Sequence, residues 1–302
     1  KRRSNGRNQV LLFSVAAVAL LAVVLGVYFI FFANRVTTLR GTPLRVNAEA
    51  QMIPVKDTIF TLHEGKLSSV DYNDNEKWVI DAPEGEPKFH ASDDLVAVYN
   101  TSTLWLYSFD GTELIKGKKF HGTIKDVRCG KTLVNVLNED TTGTMHIITL
   151  DKAGNETGSA KYPERFVLDF GFTQEDASYS YTVDSGSLIP VSRITTLNDQ
   201  LATIGNVTIE GQLLQHLIFQ MDGIYAIGTN HAIKVDYIGA VQSKHLIYGW
   251  RYCDQISTKD GKQAMLFAPG GEPGQDAFMP TARLYIPDKP DVYIQLNAGT
   301  IH

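Results

Sequence analysis

The sequence predicts an all-β fold: a β-propeller of degenerate four-stranded blades, six of them visible, preceded by one N-terminal transmembrane helix. Three observations predict it. An uncharged apolar run of 24 residues, Val10 to Ala33, stands near the start. After it, short stretches rich in Val, Ile, Thr, Tyr and Phe alternate with Gly, Asp, Asn and Pro clusters, and no long segment shows capped 3.6-residue periodicity. Within these stretches an apolar residue followed by Asp or Asn returns at a steady interval. The pairs are Val70-Asp71, Phe109-Asp110, Leu150-Asp151, Leu197-Asn198 and Val235-Asp236, spaced by 39, 41, 47 and 38 residues.

Residues 1–9 form a basic tail with Lys1, Arg2, Arg3 and Arg7 and no acid. The apolar run follows, with Val10 and Ala33 at its ends and Leu20 and Gly26 inside it. At about 1.5 Å per residue it spans roughly 36 Å as a helix, enough for a hydrocarbon core of about 30 Å. A cleaved signal peptide is the rival reading, but its apolar region is typically about 7–15 residues and ends at a small-x-small site. Only Arg35, Arg40 and Arg45 follow closely, so the charge bias places the N-terminus in the cytoplasm and the rest outside. Gly26 and the alanines at 16, 17 and 19 offer small surfaces for packing against another helix. Residues 34–43 read as a juxtamembrane linker, and residues 44–302 as an extracytoplasmic propeller domain.

Each blade then follows in order. Its innermost strand is expected in LRVNAEAQMIPV (from Leu44), GEPKFHASD (from Gly85), GTIKDVRCG (from Gly122), RFVLDFGFT (from Arg165) and LLQHLIFQM (from Leu213). Three further strands follow in each copy, and a looser sixth copy starts at Gly261. A single blade cannot bury both faces, so a repeat of about 40 residues built only of strands must stack around an axis. A sandwich also gives frequent strands but does not usually repeat a marker at this interval. The markers are read as turn residues between the third and outermost strands: Asp71, Asp110, Gly111, Asp151, Gly154, Asn198, Asp236 and Gly239. Glycine supplies positive φ there, and the carboxylate accepts backbone N–H groups. A seventh blade would need residues outside this sequence or strands shared between the two ends.

The beat carried by Phe109, Asp110, Leu150, Asp151, Gly154, Val235, Asp236 and Gly239 resembles the quinoprotein-like and WD-type propeller superfamily. Asp71 with Trp78 resembles the aspartate–tryptophan spacing of quinoprotein blades, although the other copies lack that Trp. Basic tail, span and degenerate propeller together resemble a family of single-pass membrane-anchored proteins of Gram-positive bacteria. The resemblance implies an extracytoplasmic assembly scaffold and specifies no chemistry.

The residues themselves point away from catalysis. The net charge of −5 argues against nucleic acid as a partner. Cys129 and Cys253 form no CxxC pair, and the adjacent-cysteine disulfide of many quinoprotein enzymes is absent. A single disulfide between them and two thiols are both open. The eight histidines include no HExxH or HxH. No GxSxG elbow or glycine-rich phosphate loop is present. DYNDNE, Asp71 to Glu76, begins like a calcium loop but lacks its glycine and distal Glu. The acid pairs at 93–94, 139–140 and 175–176 read as solvated turns. Sequons start at Asn100, Asn155 and Asn206. No cofactor, metal or catalytic residue is therefore expected. The expected partners are the membrane and other envelope proteins. The alternative is a sensor or hydrolase using the central channel for a small molecule or glycan. SLIPVSRITTLND and GGEPGQDAFMP are the loops most suited to binding.

Overall fold

The structure, a computed structural model, describes residues 49–73, 75–173, 176–257, 263–270, 281–287 and 289–296. The predicted transmembrane segment, 10–33, and the turn 271–280 lie outside the described residues. Every helix or strand among the described residues is a strand, and no helix there is long and apolar enough to cross a membrane.

Among the described residues, twenty-four strands form six sheets, each an antiparallel meander of four consecutive strands. Blade 1 holds β1 (Gln51–Val55), β2 (Thr58–His63), β3 (Lys66–Asp71) and β4 (Glu76–Asp81). Blade 2 holds β5 (Lys88–Ala91), β6 (Leu95–Tyr99), β7 (Thr103–Ser108) and β8 (Glu113–Lys119). Blade 3 holds β9 (Thr123–Cys129), β10 (Val134–Glu139), β11 (Met145–Leu150) and β12 (Glu156–Tyr162). Blade 4 holds β13 (Arg165–Phe172), β14 (Ser178–Asp184), β15 (Val191–Leu197) and β16 (Thr203–Glu210). Blade 5 holds β17 (Leu214–Gln220), β18 (Gly223–Gly228), β19 (His231–Val235) and β20 (Val241–Leu246). Blade 6 holds β21 (Trp250–Ser257), β22 (Gln263–Pro269), β23 (Thr281–Tyr285) and β24 (Val292–Gln295). Among the described residues, each sheet is built from consecutive strands and none takes a strand from the other end of the chain.

The second strand of each of the first five blades is largely buried on both faces. In blades 1, 2 and 5 it reads as a nearly continuous apolar or β-branched run, such as Leu95–Tyr99 or Gly223–Gly228, whereas in blades 3 and 4 it also buries Asn135, Asn138, Ser178 and Ser180. Successive side chains point to opposite faces, so alternate residues serve the two neighbouring blades. Val96 and Val98 pack with Phe60 and Leu62 of blade 1, whereas Leu95, Ala97 and Tyr99 pack with Val127, Val134 and Val136 of blade 3. Five such clusters join the six blades in sequence. The outward faces at the two ends of the row are buried as well: Ile59 and Thr61 on blade 1, and Ala264, Ala268 and Ala282 on blade 6. A closed ring requires this. Blades 5 and 6 are also tied by polar bonds, since Arg283 donates to Asp291 at 2.6 Å, to His245 at 2.7 Å and to the Leu246 carbonyl at 2.9 Å.

First strands lie against first strands, β1 on β5, β5 on β9 and β9 on β13, so they face the ring axis. The meander then fixes two faces of the ring. The links from first to second and from third to fourth strand lie on one face, the turn face. The links from second to third strand and from blade to blade lie on the other, the entry face, where β1 begins.

Candidate functional site

On the turn face, the third-to-fourth-strand turns share one hydrogen-bond pattern. Asp151 N–H donates to the Asn155 carbonyl at 2.9 Å, and Gly154 N–H donates to the Asp151 carbonyl at 3.0 Å. The Asp151 carboxylate accepts from Ala153 and Asn155 N–H at 2.9 and 2.8 Å. Asp236 with Gly239 closes the same turn, and Asn198 does so with its amide oxygen. In blade 4 the glycine position holds Leu201 at φ 58°, a left-handed conformation that bulky non-glycine residues rarely adopt. Leu201 is buried in the core between blades 3 and 4, and that burial holds it there. Asp71 accepts from Asn73 and Asn75 N–H at 2.8 and 2.9 Å and from the Asn75 amide at 2.9 Å, so both its oxygens serve the turn.

Blade 2 differs in register. Ser108 N–H donates to the Thr112 carbonyl and Gly111 N–H to the Ser108 carbonyl, so Ser108 stands where Asp151 stands in blade 3. Asp110 falls two positions later, bonded by the Ser108 hydroxyl and by Thr112 N–H at 3.1 Å. Side-chain bonds from Asn75, Ser108 and Asn155, respectively, lead the interactions that hold Asp71, Asp110 and Asp151 below the ordinary carboxylate value of 3.8.

The residue seven positions after each turn start packs on the next blade's turn. Trp78 follows Asp71 by seven, lies against Gly111 and donates its indole N–H to the Phe109 carbonyl at 3.1 Å. Ile115, seven after Ser108, lies against Gly154. Gly158 and Gly205, seven after Asp151 and Asn198, let the backbone of the following turn come closer still. A Cβ on Gly205 would lie 2.5 Å from Tyr237 and Ile238 backbone atoms. The lone Trp of the sequence motif is thus the largest filler of a position that every blade from 1 to 4 uses.

Around the axis, four first strands carry a bulge. The pairing skips Lys125, Leu168, Gln215 and Cys253. In three of them an Asp follows the bulge, and its carboxylate accepts the next residue's N–H: Asp126, Asp169 and Asp254. Tyr99 donates to Asp126 at 2.8 Å and Tyr179 to Asp169 at 3.0 Å, while Arg128 pairs with Asp126 at 2.8 Å. Burial, then the adjacent Asp, raises both phenols. The carboxylates of Asp126 and Asp169 are occupied by tyrosine and backbone donors, and that of Asp126 by Arg128 as well. They clamp the bulges. Cys129 is a buried thiol pushed up to about 12 by that burial, and no disulfide joins it to Cys253. Among the described residues, no group of three His, Cys, Asp or Glu side chains is placed to hold a metal. Two sequon asparagines are engaged in turns: Asn100 accepts Ser102 and Thr103 N–H, and Asn155 donates to Asp151.

The concavity best suited to a partner lies on the turn face at the seam of blades 4 and 5. It is a mainly apolar cleft of about 280 Å³ between Ala177, Thr196, Leu197, Ile204, Met221 and Tyr237. Its floor is rigid. Tyr237 donates to the Gln220 carbonyl at 2.7 Å, and Thr196 donates across the seam to the Tyr237 carbonyl at 2.6 Å. Its rim is not covered: Met221 is 92% exposed and Ile238, one residue beyond Tyr237, is 70% exposed. No sequence pattern marked this cleft, since its lining comes from four separate segments of the two blades.

Comparison with solved structures decides the fold. Hsv2 from Kluyveromyces lactis is 11% identical with a TM-score of 0.52, over 78% of this chain and 79% of that one. BamB from Moraxella catarrhalis is 12% identical with a TM-score of 0.50, over 83% and 86%. BBS1N in complex with ARL6DN is 10% identical with a TM-score of 0.50, over 80% and 75%. The chain folds as a β-propeller. At these identities the likeness shows the fold alone. No family model and no curated protein matches the sequence.

Proposed function

We propose that this propeller is a non-enzymatic scaffold of the bacterial cell envelope, anchored by residues 10–33 with its propeller outside the cytoplasm, and that it holds a protein partner at the turn-face cleft between blades 4 and 5. The observation behind this reading is the pairing of a rigid apolar cleft with exposed Met221 and Ile238. Exposed apolar side chains around a concave, well-packed floor are the makings of a protein-docking site. Met is suited to such a surface because its unbranched side chain adapts to an irregular partner. The apolar run and its basic flank support the anchor, and the charge bias supports the orientation. A propeller solved with a bound protein, BBS1N with ARL6DN, is an example of this fold used for protein binding.

The test is affinity isolation of the detergent-solubilised full chain beside a Met221→Asp/Ile238→Asp variant. The wild type should retain a stoichiometric envelope protein. The variant should lose it while melting within about 0.5 kcal/mol of the parent, as exposed positions do. Equal recovery from both would refute the assignment of the cleft.

A further inference from the structure

We propose that the entry face of the propeller rests on the lipid surface through an arc of apolar side chains in its loops and at one strand end: Leu188, Ile189, Leu213, Leu246 and Tyr248. This goes beyond the scaffold reading and rests on the anchor that reading includes.

The arc is exposed throughout: Leu188 is fully so, Tyr248 is 75% exposed, Ile189 61% and Leu246 60%. It is also held together. Gly211 N–H donates to the Pro190 carbonyl at 2.9 Å, which joins the segment bearing Leu188 and Ile189 to the one bearing Leu213. Gln212 accepts Asn230 and His231 N–H, both at 3.2 Å, and Ile247 N–H donates to the Asn230 carbonyl at 2.9 Å. Four connections on one face, from blade 4 to the start of blade 6, thus form one hydrogen-bonded rim.

Lipid is the occupant because of where the chain enters. β1 begins on this same face, and the apolar run 10–33 precedes it by 17 residues. A segment of that length reaches at most about 60 Å. The segment that follows the proposed anchor thus enters the propeller at this face, and lipid is the surface such a tether offers to it. Leu and Ile at loop tips enter the acyl boundary, and Tyr prefers the interface. All five side chains are uncharged, so seating needs no anionic lipid and resists salt.

The full chain is reconstituted in vesicles of phosphatidylcholine alone, in a Cys253→Ser background. One environment-sensitive label is placed through Leu188→Cys, Tyr248→Cys or Met221→Cys, with circular dichroism confirming each fold. A nitroxide on carbon 5 of the lipid chain should quench the labels at 188 and 248 at least twofold more than the label at 221, at low and high salt alike. Equal quenching at the three positions in a carbonate-resistant chain overturns the lipid contact and leaves the anchor standing. Release of the chain by alkaline carbonate overturns the anchor instead. Pyrene excimers between labels at 248, without lipid quenching, make the occupant a second copy and overturn the proposal.

Discussion

His90 is kept neutral by its surroundings. Its Nδ1 accepts the Cys129 N–H at 3.1 Å, and burial, followed by the charge of Arg128, pushes its pKa down from 6.5 to about 4. In the unfolded chain it takes a proton near 6.5, before the folded form can. Stability is therefore full at neutral pH and declines as pH falls from about 6.5 towards 4, by about 2–3 kcal/mol near pH 4.5. Chemical denaturation across this range should show that slope, and a His90→Asn variant should flatten it. The turn carboxylates act in a lower window. Asp71, Asp110 and Asp151 are depressed below 3.8, so their contribution is present above that value and lost as pH falls through their folded values. An Asp110→Ala variant should melt lower at neutral pH than the parent, with the difference vanishing in strong acid, and its folded fraction should keep the partner. Normal melting with lost partner binding would make Asp110 a contact residue.

At the scale of elements, the blade-to-blade joint is the unit of stability. Trp78 closes the joint between blades 1 and 2 by packing on Gly111 and against Phe60, with ring centroids 5.7 Å apart, so Trp78→Ala should cost about 2–3 kcal/mol. Gly205→Ala at the joint of blades 4 and 5 should cost about 1–3 kcal/mol, because the added Cβ meets backbone that has nowhere to retreat. Urea denaturation monitors both. The strands and the turns between them were legible in the sequence because both are local: alternation and β-branched runs mark strands, and Asp, Asn and Gly mark turns. Each quoted first-strand segment contains the first strand of its sheet. The register of blade 2 was not legible, since Phe109-Asp110 matches the marker in composition while Ser108 occupies its place in the hydrogen bonding. Neither were the bulges at Lys125, Leu168, Gln215 and Cys253, which depend on pairing rather than on residue type. Leu201 in a glycine's place shows the same limit: its left-handed backbone is supported by a core shared with blade 3, which no local window contains.

At the scale of the whole molecule, ring closure assembles what the sequence scatters. The cleft between Ala177, Leu197, Met221 and Tyr237 exists only once blades 4 and 5 stack, and so does the separation of the two faces. The turn face offers an apolar cleft with an uncovered rim, and the entry face offers the arc that begins at Leu188. Tyrosine donors engage Asp126 and Asp169, and the exposed apolar features of the two faces bear the functional reading. Photo-crosslinking in the native envelope tests that reading most directly. A benzoyl-phenylalanine at position 221 or 238 of the full chain should give one discrete protein adduct. The same probe at Thr142, on the entry face of blade 3, should give none. Adducts of the same size from all three positions, or none from 221 and 238, would contradict the account.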